Sequence, residues 1–231
     1  MKLILRKFFV AGTDTDCGKT FVSCVLLHVA ARTGRSTVGM KPVAAGAVQT
    51  EQGLRNDDAL RLQRAASVPL AYEQVNPVCL PAAVSPHLAA VQAGKRLQVQ
   101  RISGFCQGVL MKRADLTLIE GAGGWRVPLS EHEFMSDLAR ALDLPVILVV
   151  GMRLGCLNHA LLTAEAIVRD GLTIAGWIAT QRDPGMELIA ENLQTLREAL
   201  PFPCLGYIPF LADPDDLDQA AAHVNLELLS L

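Results

Sequence analysis

A glycine-rich segment near the start of the chain has the residue types that bind phosphates. Residues 12–20 have the sequence GTDTDCGKT and separate an apolar run (8–11) from a longer amphipathic run (19–33). In a loop between a strand and a helix, backbone N–H groups bind phosphate oxygens, a lysine reaches the terminal phosphates and a hydroxyl contacts Mg²⁺. Lys19 and Thr20 are the candidates for the last two roles. The first glycine, Gly12, lies one place earlier than in G-x-x-x-x-G-K-S/T, and a simple helix start is the alternative.

Two carboxylates have positions suited to a cation. Glu120 closes an apolar strand predicted at 116–119, and Asp58 follows a long loop after a second strand at 37–41. Mg²⁺ takes few protein ligands beside phosphate oxygens and water, so one hydroxyl and two carboxylates are sufficient. A carboxylate that closes an apolar strand requires a partner. Asp58 alone is equally typical of a helix N-cap, a role for which Asn56 and Asp57 also qualify.

A second lysine ends the strand predicted at 37–41. Lys41 precedes Pro42, so it is expected at the edge of the sheet that also carries Lys19. A lysine that extends from a strand end into solvent would have the same sequence position. The sequence alone leaves both interpretations open.

The elements that position these residues alternate along the chain. Strand patterns separated by helical patterns predict βαβ units, hence an α/β fold with a parallel sheet covered on both faces. Ligands of such sheets bind at the carboxyl ends of the strands. Strands are predicted at 8–11, 37–41, 116–119, 145–150, 174–179 and 205–208, helices at 19–33, 57–66, 88–94, 99–113, 135–142, 157–169, 186–200 and 215–229, and a loop at 67–85.

Composition excludes several classes of protein. The 231 residues are 51% hydrophobic and carry a net charge of -2, which excludes a disordered chain and favours one domain over 1–231. No basic stripe indicates a nucleic-acid partner. The longest charge-free stretch, 74–94, contains prolines and does not predict a membrane span.

The N-terminus and the cysteines indicate a cytoplasmic protein. Arg6 and Lys7 interrupt the apolar run that a signal peptide would need. The six cysteines form no C-x-x-C pair, so we expect reduced thiols rather than disulfides or a metal centre.

The segment GTDTxxGKT at 12–20 resembles the variant phosphate loop of the dethiobiotin synthetase family. Four further segments resemble that family in the same order: KPVA at 41–44, LRNxDA at 54–59, EGAGGW at 120–125 and LGCxNHA at 154–160. The resemblance covers essentially the whole chain. It implies a single-domain, three-layer αβα fold of the P-loop NTPase type with a mainly parallel central sheet.

The resemblance also implies an activity. The family converts 7,8-diaminopelargonate, CO₂ and MgATP into dethiobiotin, ADP and phosphate, a step of biotin biosynthesis. A substrate amine takes up CO₂ as a carbamate, the carbamate attacks the γ-phosphorus of ATP, and the second amine closes the ring with loss of phosphate. Residues that match the family's catalytic positions are Thr15, Lys19 and Lys41, and those that match its Mg²⁺ contacts are Thr20, Asp58 and Glu120.

Binding residues follow from the same match. The nucleotide positions are Asp16, Cys17, Gly18, Lys19, Thr20, Phe21, Asp58, Glu120, Gly121, Ala122, Gly123, Thr180, Gln181, Pro209, Phe210 and Leu211. The substrate positions are Lys41, Ala45 and Gly123, joined by Leu154, Cys156 and Asn158 from the partner subunit of a homodimer. Free N–H groups at the start of the helix at 157 would bind the substrate's carboxylate.

The chain departs from the family pattern at three places. Ala45 replaces a serine near the substrate, Thr180 replaces an asparagine at the adenine edge, and the acidic residues of 209–216 align ambiguously. An amide-forming ligase for corrinoid-type acids would need an additional domain for which the chain has no room. A non-catalytic nucleotide switch of the partitioning type would have an early lysine where Thr13 stands, and a GTPase would carry Asn-Lys-x-Asp.

Overall fold

The computed structural model describes residues 6–213 and 216–229. Their helices and strands alternate as the βαβ pattern predicts. In chain order they are β1 (Arg6–Gly12), α1 (Lys19–Arg32), β2 (Thr37–Met40), β3 (Val43–Ala44), β4 (Val48–Thr50), β5 (Gly53–Arg55), α2 (Asp57–Ala65), α3 (Tyr72–Val75), β6 (Val78–Cys79), α4 (Pro86–Gln92), α5 (Val99–Leu110), β7 (Leu116–Gly124), α6 (Met135–Leu142), β8 (Val146–Gly151), α7 (Cys156–Arg169), β9 (Ile174–Thr180), α8 (Ile189–Ala199), β10 (Cys204–Ile208), α9 (Leu217–Ala221) and a 3₁₀ helix (Leu226–Leu229).

The central sheet has six strands in the order β10-β9-β8-β1-β7-β2. Each neighbouring pair in it is parallel. Their carboxyl ends therefore meet at one edge, where β1, β2 and β7 deliver the candidate residues. The predicted α/β class and parallel central sheet are confirmed.

Two hydrophobic cores cover the two faces of this sheet. Alternate residues of β1 divide between them: Phe9 belongs to the core beside α5, α6 and α7, whereas Phe8 and Val10 belong to the core beside α1 and α9. The strand β8 is buried along nearly its whole length, which accounts for its continuous apolar sequence. Because a core packs on each face of the sheet, the strand ends that carry the site are held in place.

Three of the sequence predictions need correction. The stretch 67–85 is not all loop, because α3 and β6 lie within it, and β6 pairs with β3. The tail 215–229 is not one helix: α9 ends at Ala221, and Gly206 forms a bridge with Val224 before the 3₁₀ helix. The helix predicted from 186 begins only at Ile189, after Leu188 in the left-handed conformation. The predicted start of the tail at 215 and the first five residues lie outside the described residues.

All six cysteines are free. Within residues 6–213 and 216–229, no helix has the length and apolar character needed to cross a membrane.

Candidate active site

The loop between β1 and α1 forms the floor of the site. Gly18 precedes α1 with φ +91°, and a Cβ at this position would lie 2.8 Å from Cγ2 of Thr180. Both the backbone conformation and the close packing therefore require glycine. The N–H of Thr13 donates to the carbonyl of Val149 at 3.0 Å, which attaches the loop to β8.

The first turn of α1 offers N–H groups to an anion. Val22 is the first residue in α1 whose N–H bonds to a carbonyl of the turn, that of Gly18. No acidic residue occupies this first turn. The positive end of the helix dipole therefore faces the cavity in front of the loop. Lys19 is buried there, and its ammonium donates to the carbonyl of Asp14 at 2.8 Å.

Four side chains from different elements meet beside this loop. Lys41 Nζ lies 2.6 Å from Oε1 of Glu120 and 3.0 Å from Oδ2 of Asp58. The hydroxyl of Thr20 donates to the same Glu120 oxygen at 2.7 Å. The predicted convergence of Thr20, Lys41, Asp58 and Glu120 is thus present in the fold.

The structure also decides between the alternatives for Asp58 and Lys41. The N-cap of α2 is Asn56, whose side chain accepts from the N–H of Ala59, so Asp58 lies inside the helix with its carboxylate toward Lys41. Lys41 is buried rather than extended into solvent. Its backbone is held by α3: the N–H of Lys41 donates to Val75, and the side chain of Asn76 donates to the carbonyl of Lys41 at 2.6 Å.

Charges in this cluster compensate one another. Burial alone would lower the pKa of Lys41, but the Glu120 and Asp58 carboxylates outweigh it and raise that pKa above its ordinary value. Burial would raise the pKa of Asp58, but the attraction and hydrogen bond of Lys41, with the hydroxyl of Thr20, lower it. Lys41 is therefore a cation and Asp58 an anion at neutral pH.

Oxygen atoms suited to Mg²⁺ surround the same point. Oε2 of Glu120 is buried and has no hydrogen-bond partner among the described residues. A buried carboxylate oxygen without a donor is costly unless a cation or donor arrives. Nowhere in the described part of the chain do three or more His, Cys, Asp or Glu side chains form a metal-binding group. The hydroxyl of Thr20 and the carboxylates of Asp58 and Glu120 nevertheless fit Mg²⁺, which completes its shell with phosphate and water oxygens.

Two adjoining cavities open at this edge of the sheet, with volumes of about 590 and 400 Å³. We call them the larger and the smaller cavity. The smaller cavity adjoins the glycine-rich loop, and the larger one has a wall formed partly by Ala44, Ala122 and Val127. The residues that line both are Thr15, Asp16, Lys41, Asp58 and Gly123. A phosphate in the smaller cavity and an amine in the larger one would therefore meet at Lys41.

Glycines at the end of β7 allow this close approach. Gly123 has φ +62°, and a Cβ there would lie 2.6 Å from Cγ2 of Val127 and 3.4 Å from the hydroxyl of Thr15. Gly124 pairs with Gly12 of β1, so the strand continues past its predicted end at 119. Ala45 also lines the larger cavity, where its methyl group offers no hydrogen bond.

The proposed base-binding residues are mostly engaged within the protein. Thr180 is fully buried beneath Gly18, and its hydroxyl has no partner among the described residues. The side-chain amide of Gln181 accepts from Tyr207 at 2.9 Å and donates to the carbonyl of Asp183 at 3.0 Å. In the segment 209–211, Phe210 is exposed and Leu211 is buried, while residues 214 and 215 of the ambiguous acidic stretch lie outside the described residues.

The segment predicted to serve the partner subunit lies at the start of α7. Leu154 is 97% exposed, and Asn158 is exposed as well. The side chain of Cys156 is instead buried, and its N–H donates to the carbonyl of Arg153 at 2.9 Å. Leu154 and Asn158 can face a second subunit through their side chains, whereas Cys156 could do so only through its backbone. Arg153 pairs with Asp14 of the glycine-rich loop, a contact that the sequence pattern did not reveal.

The geometry defines the class of this protein. A helix N-terminus that offers N–H groups, a lysine beside it and oxygen atoms suited to Mg²⁺ lie at the carboxyl edge of a parallel sheet, as in P-loop nucleotide-binding proteins. Solved structures share the fold: the septum site-determining protein MinD of Pyrococcus horikoshii, complexed with Mg-ADP, has a TM-score of 0.56 at 17% identity, with 96% of this chain and 88% of that chain covered. The cell division ATPase MinD of Pyrococcus furiosus has a TM-score of 0.55 at 20% identity, covering 95% and 88%.

Comparison with protein families and curated proteins is more specific. A family model described as an AAA domain matches residues 6–217. The ATP-dependent dethiobiotin synthetase BioD of Pseudomonas paraeruginosa is 56% identical over 224 residues, which cover 97% of this chain and 98% of that protein. The protein of the same name from Cellvibrio japonicus is 54% identical over 221 residues, covering 96% of each. The chain belongs to the family of ATP-dependent dethiobiotin synthetases.

Proposed function

We propose that the chain is a ligase that uses ATP and CO₂ to close the ureido ring of dethiobiotin on 7,8-diaminopelargonate. The observation that carries this proposal is the position of Lys41, which lines both cavities and lies between Asp58 and Glu120. Joining a carbamate to ATP brings two anions together. A fixed ammonium at the boundary between their sites favours that encounter.

The chemistry requires three steps. One amine nitrogen of the substrate bonds to CO₂ and releases a proton, giving a carbamate. A carbamate oxygen then bonds to the γ-phosphorus as its bond to ADP breaks. The second amine finally bonds to the carbamate carbon and releases a proton, phosphate leaves from that carbon, and the ring closes.

The chain's own residues supply position and charge for these steps. The N–H groups at the start of α1 and the ammonium of Lys19 hold the phosphates in the smaller cavity. The ammonium of Lys41 holds the carbamate against the γ-phosphoryl group and compensates the charge that develops there. The hydroxyl of Thr15, close to Gly123, faces the same boundary. Mg²⁺ bound by Thr20, Asp58 and Glu120 would neutralise phosphate charge.

The predicted homodimer belongs to the same proposal. The exposed side chains of Leu154 and Asn158 and the N–H groups that begin α7 would contact the substrate's carboxylate in the partner subunit. Arg153 is drawn toward Asp14 and so attaches this segment to the glycine-rich loop of its own subunit. We place the enzyme in the cytoplasm, where its free thiols would remain reduced.

A direct assay tests the proposed function. Purified protein is incubated with diaminopelargonate, bicarbonate and MgATP, and dethiobiotin is measured by mass spectrometry. We expect dethiobiotin and phosphate in equal amounts. Phosphate release without dethiobiotin would instead identify a nucleotide switch of the partitioning type and reject the ligase.

A further inference from the structure

An acidic residue outside both cavities is bonded to the segment that forms part of the wall of the larger cavity. Asp170 directly follows α7, and its Oδ2 accepts from the indole N–H of Trp125 at 2.7 Å. Its other oxygen, Oδ1, accepts from the guanidinium of Arg126 at 2.8 Å. Arg126 also donates to the hydroxyl of Ser136 at 2.9 Å, at the start of α6. One carboxylate thus joins the segment after β7 to α7.

The two residues that Asp170 binds lie between residues of the cavity wall. Ala122, Gly123 and Val127 line the larger cavity, whereas Trp125 and Arg126 direct their side chains to Asp170. The Trp125 ring is buried and makes an edge contact with Phe9, with 6.2 Å between ring centres. The N–H of Met135 holds the far end of the wall through the carbonyl of Val127 at 2.8 Å. The position of Asp170 therefore determines where the middle of this segment is held.

The location of Asp170 has a cost that its contacts offset. An anion at the C-terminal end of a helix is disfavoured by the helix dipole. Burial also opposes its ionisation, but the hydrogen bonds from Arg126 and Trp125 lower the pKa of Asp170 below its ordinary value. Its side chain is only 12% exposed. Each carboxylate oxygen thus accepts a charge-assisted hydrogen bond from the wall segment, Oδ2 from Trp125 and Oδ1 from Arg126.

We propose that Asp170 is a positioning residue that, through Trp125 and Arg126, holds the wall of the larger cavity in the shape that the diamine substrate requires. The proposal rests on the proposed function, because it assigns the larger cavity to the diamine. The glycine-rich loop is attached separately, through Thr13 and β8. Substitution of Asp170 should therefore change the KM for the diamine more than the KM for ATP.

The test compares Asp170 with Asp115, a carboxylate that directly precedes β7. Asp170→Ala removes the contacts to the wall, and Asp115→Ala removes contacts to Ser36 on the far side of the sheet. A displacement of a substrate-binding segment by about 1 Å can reduce turnover by up to about 10²-fold. For Asp170→Ala we expect the KM for diaminopelargonate to rise about tenfold while the KM for ATP stays within about twofold. For Asp115→Ala both values should stay within about twofold of the wild type.

A spectroscopic measurement reports on the wall itself. The chain has two tryptophans, so protein labelled with 5-fluorotryptophan gives two fluorine resonances, which a Trp177→Phe variant assigns. Asp170→Ala should move the Trp125 resonance and leave that of Trp177 in place. Arg126→Met, which removes only part of the network, provides a second variant if Asp170→Ala does not fold, and it should change both readouts in the same direction.

Three results would overturn the proposal. One is a moved Trp125 resonance with an unchanged KM for the diamine. Another is an equal rise in both KM values. The third is a lower kcat with both KM values unchanged, since that is the effect of losing folded protein. If the wild type itself forms no dethiobiotin, the proposed function fails, and this proposal fails with it.

Discussion

Lys41 links the charges of the candidate site to its chemistry. Its ammonium lies between the carboxylates of Glu120 and Asp58, while the ammonium of Lys19 bonds to a carbonyl of its own loop. Both lysines thus bond to protein oxygens in the structure, at the positions where phosphate and carbamate would lie. The phosphates of a bound nucleotide would be new partners for the two lysines, and Mg²⁺ would be a new partner for the two carboxylates. Removal of Lys41 consequently affects catalysis and the stability of a buried anion together.

The first prediction concerns Lys41→Met, which keeps the volume of the lysine stem. We expect kcat for dethiobiotin formation to fall by about 10²–10³-fold, the usual effect of losing one preorganised charge. The urea midpoint should also fall, because Glu120 loses its buried cation. Lys95→Met, at an exposed position, is the control and should retain wild-type kcat. A folded Lys41→Met enzyme with normal turnover would show that Lys41 is not catalytic.

The second prediction concerns the proposed oxygen ligands of Mg²⁺. In Asp58→Asn or Glu120→Gln an amide replaces a carboxylate, and the Mg²⁺ concentration for half-maximal activity should rise, because the ion prefers charged oxygens. The control is Asp57→Asn, which changes an exposed neighbour whose carboxylate pairs with Arg61. The Mg²⁺ concentration for its half-maximal activity should equal that of the wild type. The titration is performed at fixed ATP. Equal midpoints for all three variants and the wild type would assign Asp58 and Glu120 a structural role.

The third prediction concerns the base of the nucleotide. Thr180 is buried, and both ends of the Gln181 amide already have partners, so neither side chain offers the paired contact that an asparagine makes with adenine. One lost hydrogen bond is worth about 0.5–1.5 kcal/mol. We therefore expect kcat/KM for GTP and CTP within about tenfold of that for ATP. An ATP preference above about a thousandfold would exceed what one such bond provides and would contradict this account.

At the scale of elements, the rule that ligands bind at strand ends was the most informative. Lys41 and Glu120 follow two apolar runs that are far apart in the sequence, and the rule predicts that both lie at the same edge of the sheet. In the structure Nζ of Lys41 lies 2.6 Å from Oε1 of Glu120. Most long helices and buried strands were predicted within a few residues of their observed bounds; the exceptions are the tail predicted as one helix at 215–229 and the strand β7, which continues to Gly124. Such runs have strong patterns because they are covered by a core on one or both sides.

Short elements and long-range contacts left no comparable signal. The helix α3 has four residues and the strand β6 has two, too few for a period, yet α3 bonds to the backbone of Lys41 and β6 to that of Pro42. The hairpin of β4 and β5 was missed for the same reason. The contact of Asp170 with Trp125 spans 45 positions, and nothing local marks either residue as a partner of the other. Only the folded arrangement identifies these contacts.

The fourth prediction concerns the turn that begins α1. Gly18 and Gly34 both have a positive φ, but an added Cβ meets Thr180 at Gly18 and nothing within 4 Å at Gly34. Gly34→Ala should lower the free energy of unfolding by about 1–2 kcal/mol and leave the Kd for ATP unchanged. Gly18→Ala combines the same strain with a clash in the phosphate loop, so we expect the Kd for ATP to rise at least about tenfold. Calorimetric titration with ATP measures both variants, and equal Kd values would contradict the close packing.

At the scale of the whole molecule, the two hydrophobic cores hold one sheet whose carboxyl edge carries both cavities. The nucleotide end is built by the loop between β1 and α1. The end proposed for the diamine is built partly by the ends of β3 and β7 and the residues that follow them. The sheet therefore sets the distance between the two reactants. The central claim is that a carbamate in the larger cavity attacks ATP in the smaller one.

The fate of a carbamate oxygen tests this claim most directly. The enzyme is mixed with diaminopelargonate, MgATP and CO₂ labelled with oxygen-18, and the reaction is quenched before the label exchanges with water. Attack of the carbamate on the γ-phosphorus predicts phosphate that carries one labelled oxygen, together with dethiobiotin labelled at its ring carbonyl. Unlabelled phosphate would show that water attacks ATP, which would contradict the proposed reaction.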